Sequence, residues 1–387
     1  MTQPPRLFQP LVLRSLTLDN RVAVAPMCQY SAIEGVPQGW HFQHLGSFGA
    51  SGPGLVMVEA TAVEPVGRIT PHCTGLYSDA CEHEFSRIVQ LVKGVGISKL
   101  GLQLAHAGRK GSTSPPWLGG KPLSPDDPQA WRTVAPSAAP FAPDWPAPKA
   151  ADAHDLEQIR LSFVQATERA RRCGFDLVEL HCAHGYFLHE FLSPIANKRG
   201  DAYGGVLDNR MRFPLEIVRA VRRAWPQEKP LGMRISATDW VEGGFNPDEA
   251  SRFVAAAKVE GVDYVCVSSG GMAPQGSPPA SPPGYQVQFA QKIREQTGMT
   301  TRAVGMIIDP PQAEAILAEG KADFIALARA FIDDPRWVWH AAEALGVPEL
   351  AWRPPQYRRA APNVWPGAAI RALRLARPSR EPAALVG

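Results

Sequence analysis

The chain has 387 residues, 45% of them hydrophobic and 20% charged, and a net charge of +3. That is the make-up of an ordinary soluble globular protein, and the charge is too small to imply a nucleic-acid partner. No run of about 18 apolar residues offers a membrane span, and the opening MTQPPRLFQP lacks the charged start and apolar stretch of a signal peptide. Six cysteines (Cys28, Cys73, Cys81, Cys173, Cys182, Cys266) lie scattered with no CxxC. That argues against a zinc ribbon, an iron–sulfur cluster or a disulfide framework, and a reducing cytoplasm is the expected setting.

In chain order, residues 6–20 (RLFQPLVLRSLTLDN) read as a hairpin. Eight short runs rich in valine, isoleucine and leucine follow: 21–27, 55–63, 99–105, 175–182, 231–237, 264–270, 301–306 and 323–329. They are mostly continuous rather than alternating, the pattern of strands buried on both faces of a parallel sheet. Helical patterns fill most of the spaces, at 81–93, 155–174, 209–224, 246–261, 285–297, 310–319 and 335–345. Asp155 reads as one N-cap with Gly174 as its C-cap; Asn246 caps another helix, Pro247 opens it and Gly261 stops it. Eight strands alternating with about eight helices is the count of a (β/α)8 TIM barrel, its bottom closed by the N-terminal hairpin. A doubly wound open sheet is the alternative.

Two segments fall outside the repeat. Residues 107–150, after the third strand, hold ten prolines from Pro115 to Pro148, with Trp117, Trp131 and Trp145. A loop this long is usually functional or disordered, and its tryptophans favour an ordered excursion over the barrel mouth. Residues 351–387 hold seven arginines and one acid, Glu381, which leaves about −3 on the rest of the chain. There Arg371, Arg374 and Arg377 are spaced by threes, as in a short solvated helix or a disordered end. The expected organisation is one barrel domain over 1–350, with the 107–150 insertion, and an arginine-rich extension over 351–387.

Barrel active sites lie at the C-terminal ends of the strands, and unusual polar residues gather there. The first strand ends in Pro26-Met27-Cys28-Gln29-Tyr30 and the second in Glu59-Ala60-Thr61. The third carries Gln103 and His106, the fourth delivers His181 and His184, and the fifth carries Arg234. The seventh ends at Gly305 and the eighth at Arg329. His181 and His184 have three readings: zinc ligands together with His189, a buried structural pair, or two N–H donors on one developing oxyanion. No paired carboxylate ends a neighbouring strand, which weighs against the metal. Arg234, on a core strand, needs a partner, either Glu179 or another strand acid, or a bound anion. Arg329, beside a helix start after the last strand, fits a phosphate site. No GxGxxG follows a strand, so a Rossmann-held nicotinamide is not expected. The residues alone describe a barrel enzyme with an anionic, phosphorylated ligand.

The segments APMCQYSA (25–32), EATAVEPVGRIT (59–70), QLAHAGRK (103–110), HCAHGYFLHEFLSPIANKRGDAYGG (181–205) and NRMRFPLEIVRAVR (209–222) form a set. With VGMI and ALARAFIDDP further on, this set resembles the Old Yellow Enzyme family, and more closely its thermophilic-like branch of bacterial enoate and xenobiotic reductases. The resemblance spans roughly 6–340. It implies a barrel with non-covalent FMN that takes hydride from NAD(P)H and reduces activated C=C bonds. On that resemblance Ala25, Pro26, Met27 and Cys28 line the flavin, Cys28 lies near its reactive edge, and Ala60 and Gln103 contact the ring. Arg234 faces N1, while Gly305, Ala328 and Arg329 hold the phosphate. His181 and His184 grip the substrate carbonyl, hydride leaves flavin N5, Tyr186 gives the proton, and Tyr30 caps the acceptor. Arg359 is the candidate for an arginine that enters from a neighbouring subunit of a homodimer or homotetramer. Val304 and Ala360 stand where some relatives place tryptophan. The rival reading is a metal-dependent barrel hydrolase using His181 and His184.

Overall fold

The computed structural model describes residues 3–278, 280–348, 352–362 and 364–367. The chain enters through an antiparallel hairpin, β1 (Leu11–Leu13) and β2 (Leu16–Leu18), in which Leu11 pairs with Leu18 and Leu13 with Leu16. Leu13 and Leu18 are buried in one cluster with Ala23, Leu55, Leu177 and Tyr264. The hairpin therefore plugs the end of the barrel where the strands begin, as its position in the sequence suggests.

The barrel strands are β3 (Val22–Val24), β4 (Leu55–Ala62) and β5 (Lys99–Ala105). Within the insertion lie two short strands, β6 (Val134–Ala135) and β7 (Lys149–Ala150), which pair with each other. The barrel continues with β8 (Leu177–Cys182), β9 (Leu231–Ser236), β10 (Tyr264–Ser268), β11 (Thr300–Val304) and β12 (Phe324–Leu327). Among the described residues, β3, β4, β5, β8, β9, β10, β11 and β12 close into a parallel barrel. Every residue of β4, β8, β9 and β10 is buried, because one face meets the barrel interior and the other meets the helices. The open-sheet alternative is thereby removed.

The caps follow local chemistry, with one correction. The helix Ala153–Cys173 starts one turn earlier than the sequence suggests. Asp152 is its N-cap, accepting the Asp155 N–H, and Asp155 sits at the third helical position and accepts the Asp152 N–H in return. A carboxylate three residues on can close this capping box, so either aspartate looks like a cap in isolation. The helix Pro247–Val259 behaves as expected, with Asn246 accepting the N–H groups of Asp248 and Glu249. Strand ends fall short of the apolar runs. β3 stops at Val24, before Pro26, which has no N–H for a ladder, and β11 stops at Val304, before Gly305 turns at φ 110°. No helix among the described residues is long and apolar enough to cross a membrane. Arg371, Arg374 and Arg377 lie outside the described residues.

Candidate active site

Strand register sets the site. His181 on β8 lies opposite Arg234 on β9, and Arg234 lies opposite Cys266 on β10. After β8 the backbone turns through left-handed conformations at His184 (φ 59°) and Gly185 (φ 73°). A Cβ on Gly185 would fall 2.1 Å from the Gly271 carbonyl oxygen, so this close approach requires glycine. The turn brings the His181 and His184 rings to 5.2 Å and sets the Tyr186 ring 5.0 Å from His181, each pair edge-on.

Hydrogen bonds assign the imidazole protons. His181 Nδ1 accepts the Ala183 N–H at 3.2 Å, which leaves its proton on Nε2. His184 Nε2 lies 2.8 Å from Ser268 Oγ. Ser268 Oγ and Ser269 Oγ both donate to Gln286 Oε1, at 3.3 and 2.6 Å, so the direction of the His184–Ser268 bond follows the His184 tautomer. His181 thus has one N–H with no acceptor among the described residues, and His184 Nδ1 has no hydrogen-bond partner there. Burial first, then the charge of Arg234, hold both imidazoles well below their ordinary pKa, so both are neutral.

Arg234 is 9% exposed, and its Nε has no hydrogen-bond partner among the described residues. The expected internal partner is taken. Glu179 binds Arg302 at 2.5 Å, accepts the Tyr264 hydroxyl at 2.7 Å and accepts the Gln103 amide at 2.8 Å. Glu179 is therefore engaged elsewhere, and Arg234, with no ion pair among the described residues, faces the site as a cation. Burying such a charge is costly unless a bound anion meets it.

Around this centre, Ala25 is buried and Pro26, Met27, Cys28 and Tyr30 are half-buried on the loop after β3. Tyr30 lies near Cys28 on this loop and is packed edge-on by Trp117 of the insertion at 5.6 Å. The insertion is thus an ordered excursion that reaches the site. Ala60 is buried at a bulge in β4, opposite Gln103. A Cβ on Gly305 would fall 2.3 Å from Gln286 Nε2 and displace that amide, and the backbone there has φ 110°. Ala328 precedes the short helix Arg329–Asp333 that starts beside it. Arg329 is exposed, and so is Arg359, in a 3-10 turn at Pro355–Ala360.

His189 departs from the metal reading. Its Nε2 lies 3.1 Å from Asp239 and its Nδ1 accepts the Gly185 N–H at 3.0 Å, so neither nitrogen is left to join His181 and His184. Among the described residues no cluster of three His, Cys, Asp or Glu side chains is arranged to hold a metal. His106 is likewise engaged, with Glu64 at 3.0 Å. Lys110 was not singled out by residue type, yet its Nζ donates to the carbonyls of His184 and Gly271 at 2.8 and 2.9 Å. It also lies over the rings of Tyr186 and Phe141. Burial lowers its pKa to about 8. Its position just past β5 is the one signal that pointed to it. Ser268 and Gln286 gave no local signal at all.

The fold and the site define a flavin-class oxidoreductase barrel. The model of the NADH:flavin oxidoreductase / NADH oxidase family matches residues 6–346, and the chain belongs to that family, the Old Yellow Enzymes. It is 41% identical over 355 residues to an NADPH dehydrogenase of Geobacillus thermodenitrificans, covering 91% of this chain and 98% of that one. An NADPH dehydrogenase of Bacillus subtilis is 40% identical over 356 residues, covering 92% and 98%. Among solved structures, morphinone reductase in complex with tetrahydroNAD superposes with a TM-score of 0.71 at 28% identity, covering 89% of this chain and 92% of that chain. The protein is an enzyme that uses FMN and NAD(P)H. The residues present fit FMN: Arg234 is a buried cation with no counter-ion among the described residues, and glycine at 305 keeps the turn after β11 free of side chain.

Proposed function

We propose that this FMN oxidoreductase reduces the activated C=C bonds of enones, maleimides and related electrophiles. One observation carries the reading: two neutral imidazoles stand with their rings 5.2 Å apart beside a phenol. That is a pair of donors for one carbonyl oxygen and an acid for carbon. Bound FMN supplies the hydride, received from NAD(P)H.

The protein's residues do the rest. Ala25 to Cys28, Ala60, Gln103 and Arg234 hold the ring system, with Arg234 balancing negative charge. Gly305, Ala328 and Arg329 hold the phosphate. His181 and His184 stabilise the charge that builds on the acceptor's oxygen, at about 3 kcal/mol for a lost donor. Tyr186 gives a proton to the α-carbon, and burial keeps its phenol well above the usual range, so the proton is present at neutral pH. Tyr30 bounds the acceptor, and an arginine such as Arg359 from a second copy completes the site in a dimer or tetramer. Residues 1–350 act as one FMN-binding unit, with 351–387 as an extension.

The test is steady-state turnover of the FMN-loaded enzyme with 2-cyclohexenone and N-methylmaleimide, each with NADH and NADPH. The expected protein is yellow, is bleached by NADPH without oxygen, and is reoxidised by either alkene. Bleaching without reoxidation by any activated alkene overturns the proposal.

A further inference from the structure

The loop that carries Cys28 is backed by a carboxylate that the chemistry above does not use. Glu59, on β4, is 3% exposed. One of its oxygens accepts the N–H of Gln29, the residue after Cys28, at 3.1 Å. The other lies 3.2 Å from His41 Nε2, off the line of a well-formed hydrogen bond. His41 Nδ1 accepts the Gln38 N–H at 3.0 Å, so its single proton sits on Nε2 and the ring is neutral. Burial pushes the Glu59 carboxyl above its usual range, opposed by His41 and the Gln29 N–H, so at the alkaline pH where a thiol ionises the pair carries the carboxylate's negative charge behind the Cys28 loop. Among the described residues, the titratable and charged groups that act on the Cys28 thiol are Glu59, Cys73, Tyr30, Tyr186 and Arg234, of which Arg234 is the cation.

We propose that Glu59, oriented by His41, is a guard residue that keeps Cys28 a thiol and so protects it from the electrophiles the site takes. The inference rests on the substrate class proposed above. An activated alkene is also a thiol-alkylating reagent. A Cys28 thiolate would form a C–S bond to the β-carbon, the π pair would move to the α-carbon, and water would protonate that carbon. The adduct would block the site. The nucleophile is the thiolate, and a like charge nearby disfavours it. Burial acts in the same direction, and Glu59 is the next contribution to the high pKa of Cys28. Glu59 is a positioning residue, because it acts through the thiol and touches no reacting atom.

The experiment uses the FMN-loaded enzyme and iodoacetamide, which alkylates a thiolate with loss of iodide and requires no reductase activity. Cys28 modification is followed by peptide mass across pH 7 to 10, with Cys28→Ala to assign the signal. Glu59→Gln is expected to alkylate about tenfold faster than the parent at a given pH, with its pH profile moved to lower values. The same variant is expected to inactivate faster on incubation with N-methylmaleimide alone. Equal alkylation profiles in parent and Glu59→Gln overturn the proposal. If Glu59→Gln does not retain FMN, His41→Leu is compared instead. That change removes the donor and leaves the carboxylate less compensated, so slower alkylation at alkaline pH is expected and faster alkylation overturns the proposal. A guard effect on iodoacetamide in an enzyme that reduces no alkene would retain the Glu59 role and remove only the substrate reading.

Discussion

The guanidinium of Arg302 and the carboxylate of Glu179 meet inside the barrel at 2.5 Å, and neither side chain has exposed surface. The pair lies beneath the catalytic layer and consumes the acid that would otherwise neutralise Arg234. Removing one partner leaves a buried charge unpaired, which costs about 3–5 kcal/mol. Arg302→Met should lower the denaturant midpoint accordingly, and adding Glu179→Leu should recover much of the loss. An unchanged midpoint in Arg302→Met would show that the pair is not maintained in solution.

Tyr186→Phe separates the two half-reactions. In the proposed reaction the phenol acts only toward the acceptor, so flavin bleaching by NADPH should proceed at nearly the parent rate. Reoxidation by 2-cyclohexenone should slow by about a hundredfold or more, the usual size of a lost general acid. Stopped-flow absorbance resolves both steps, and equal slowing of the two would contradict the assigned role.

Gly305→Ala tests the phosphate end. The backbone there has φ 110°, and the added Cβ would meet Gln286 Nε2 at 2.3 Å. Strain of about 1–3 kcal/mol follows from forcing a side chain into this conformation. FMN affinity, read from flavin fluorescence on release, should fall about tenfold or more, while the far-ultraviolet spectrum stays that of the parent.

Glu190 carries a pH signature. Burial pushes its carboxyl up to about 8, opposed by Arg109, whose backbone N–H it accepts at 2.9 Å, and by Lys110. The folded state therefore binds more protons than the unfolded chain between about 4.5 and 8. The stability this group contributes is fully present below that window and is lost as pH rises through it. Glu190→Gln should remove this slope, so the gap in melting temperature between pH 5 and pH 8.5 should be smaller in the variant. A gap of equal size would mean that Glu190 is ionised throughout.

Much of the site was legible in the chain. The HCAHGY stretch packs two imidazoles and a phenol into six residues, and a single turn with glycine at 185 sets their rings within reach of one another. The continuous apolar runs announced buried parallel strands, and the Asn246-Pro247 start was read correctly. The cap at residues 152–155 was misplaced because a capping box holds two acids with similar roles.

What the sequence by itself determined was the set of elements and the local clusters, because helix caps, strand burial and tight turns depend on neighbours a few residues apart. What only the tertiary structure decided was who pairs with whom. Glu179 chooses Arg302, 123 residues away, His184 meets Ser268, 84 residues away, and Lys110 spans from His184 to Gly271. Those choices arise when the barrel closes and places distant strands at one level, where each buried charge must find a partner or be left, like Arg234, to a ligand.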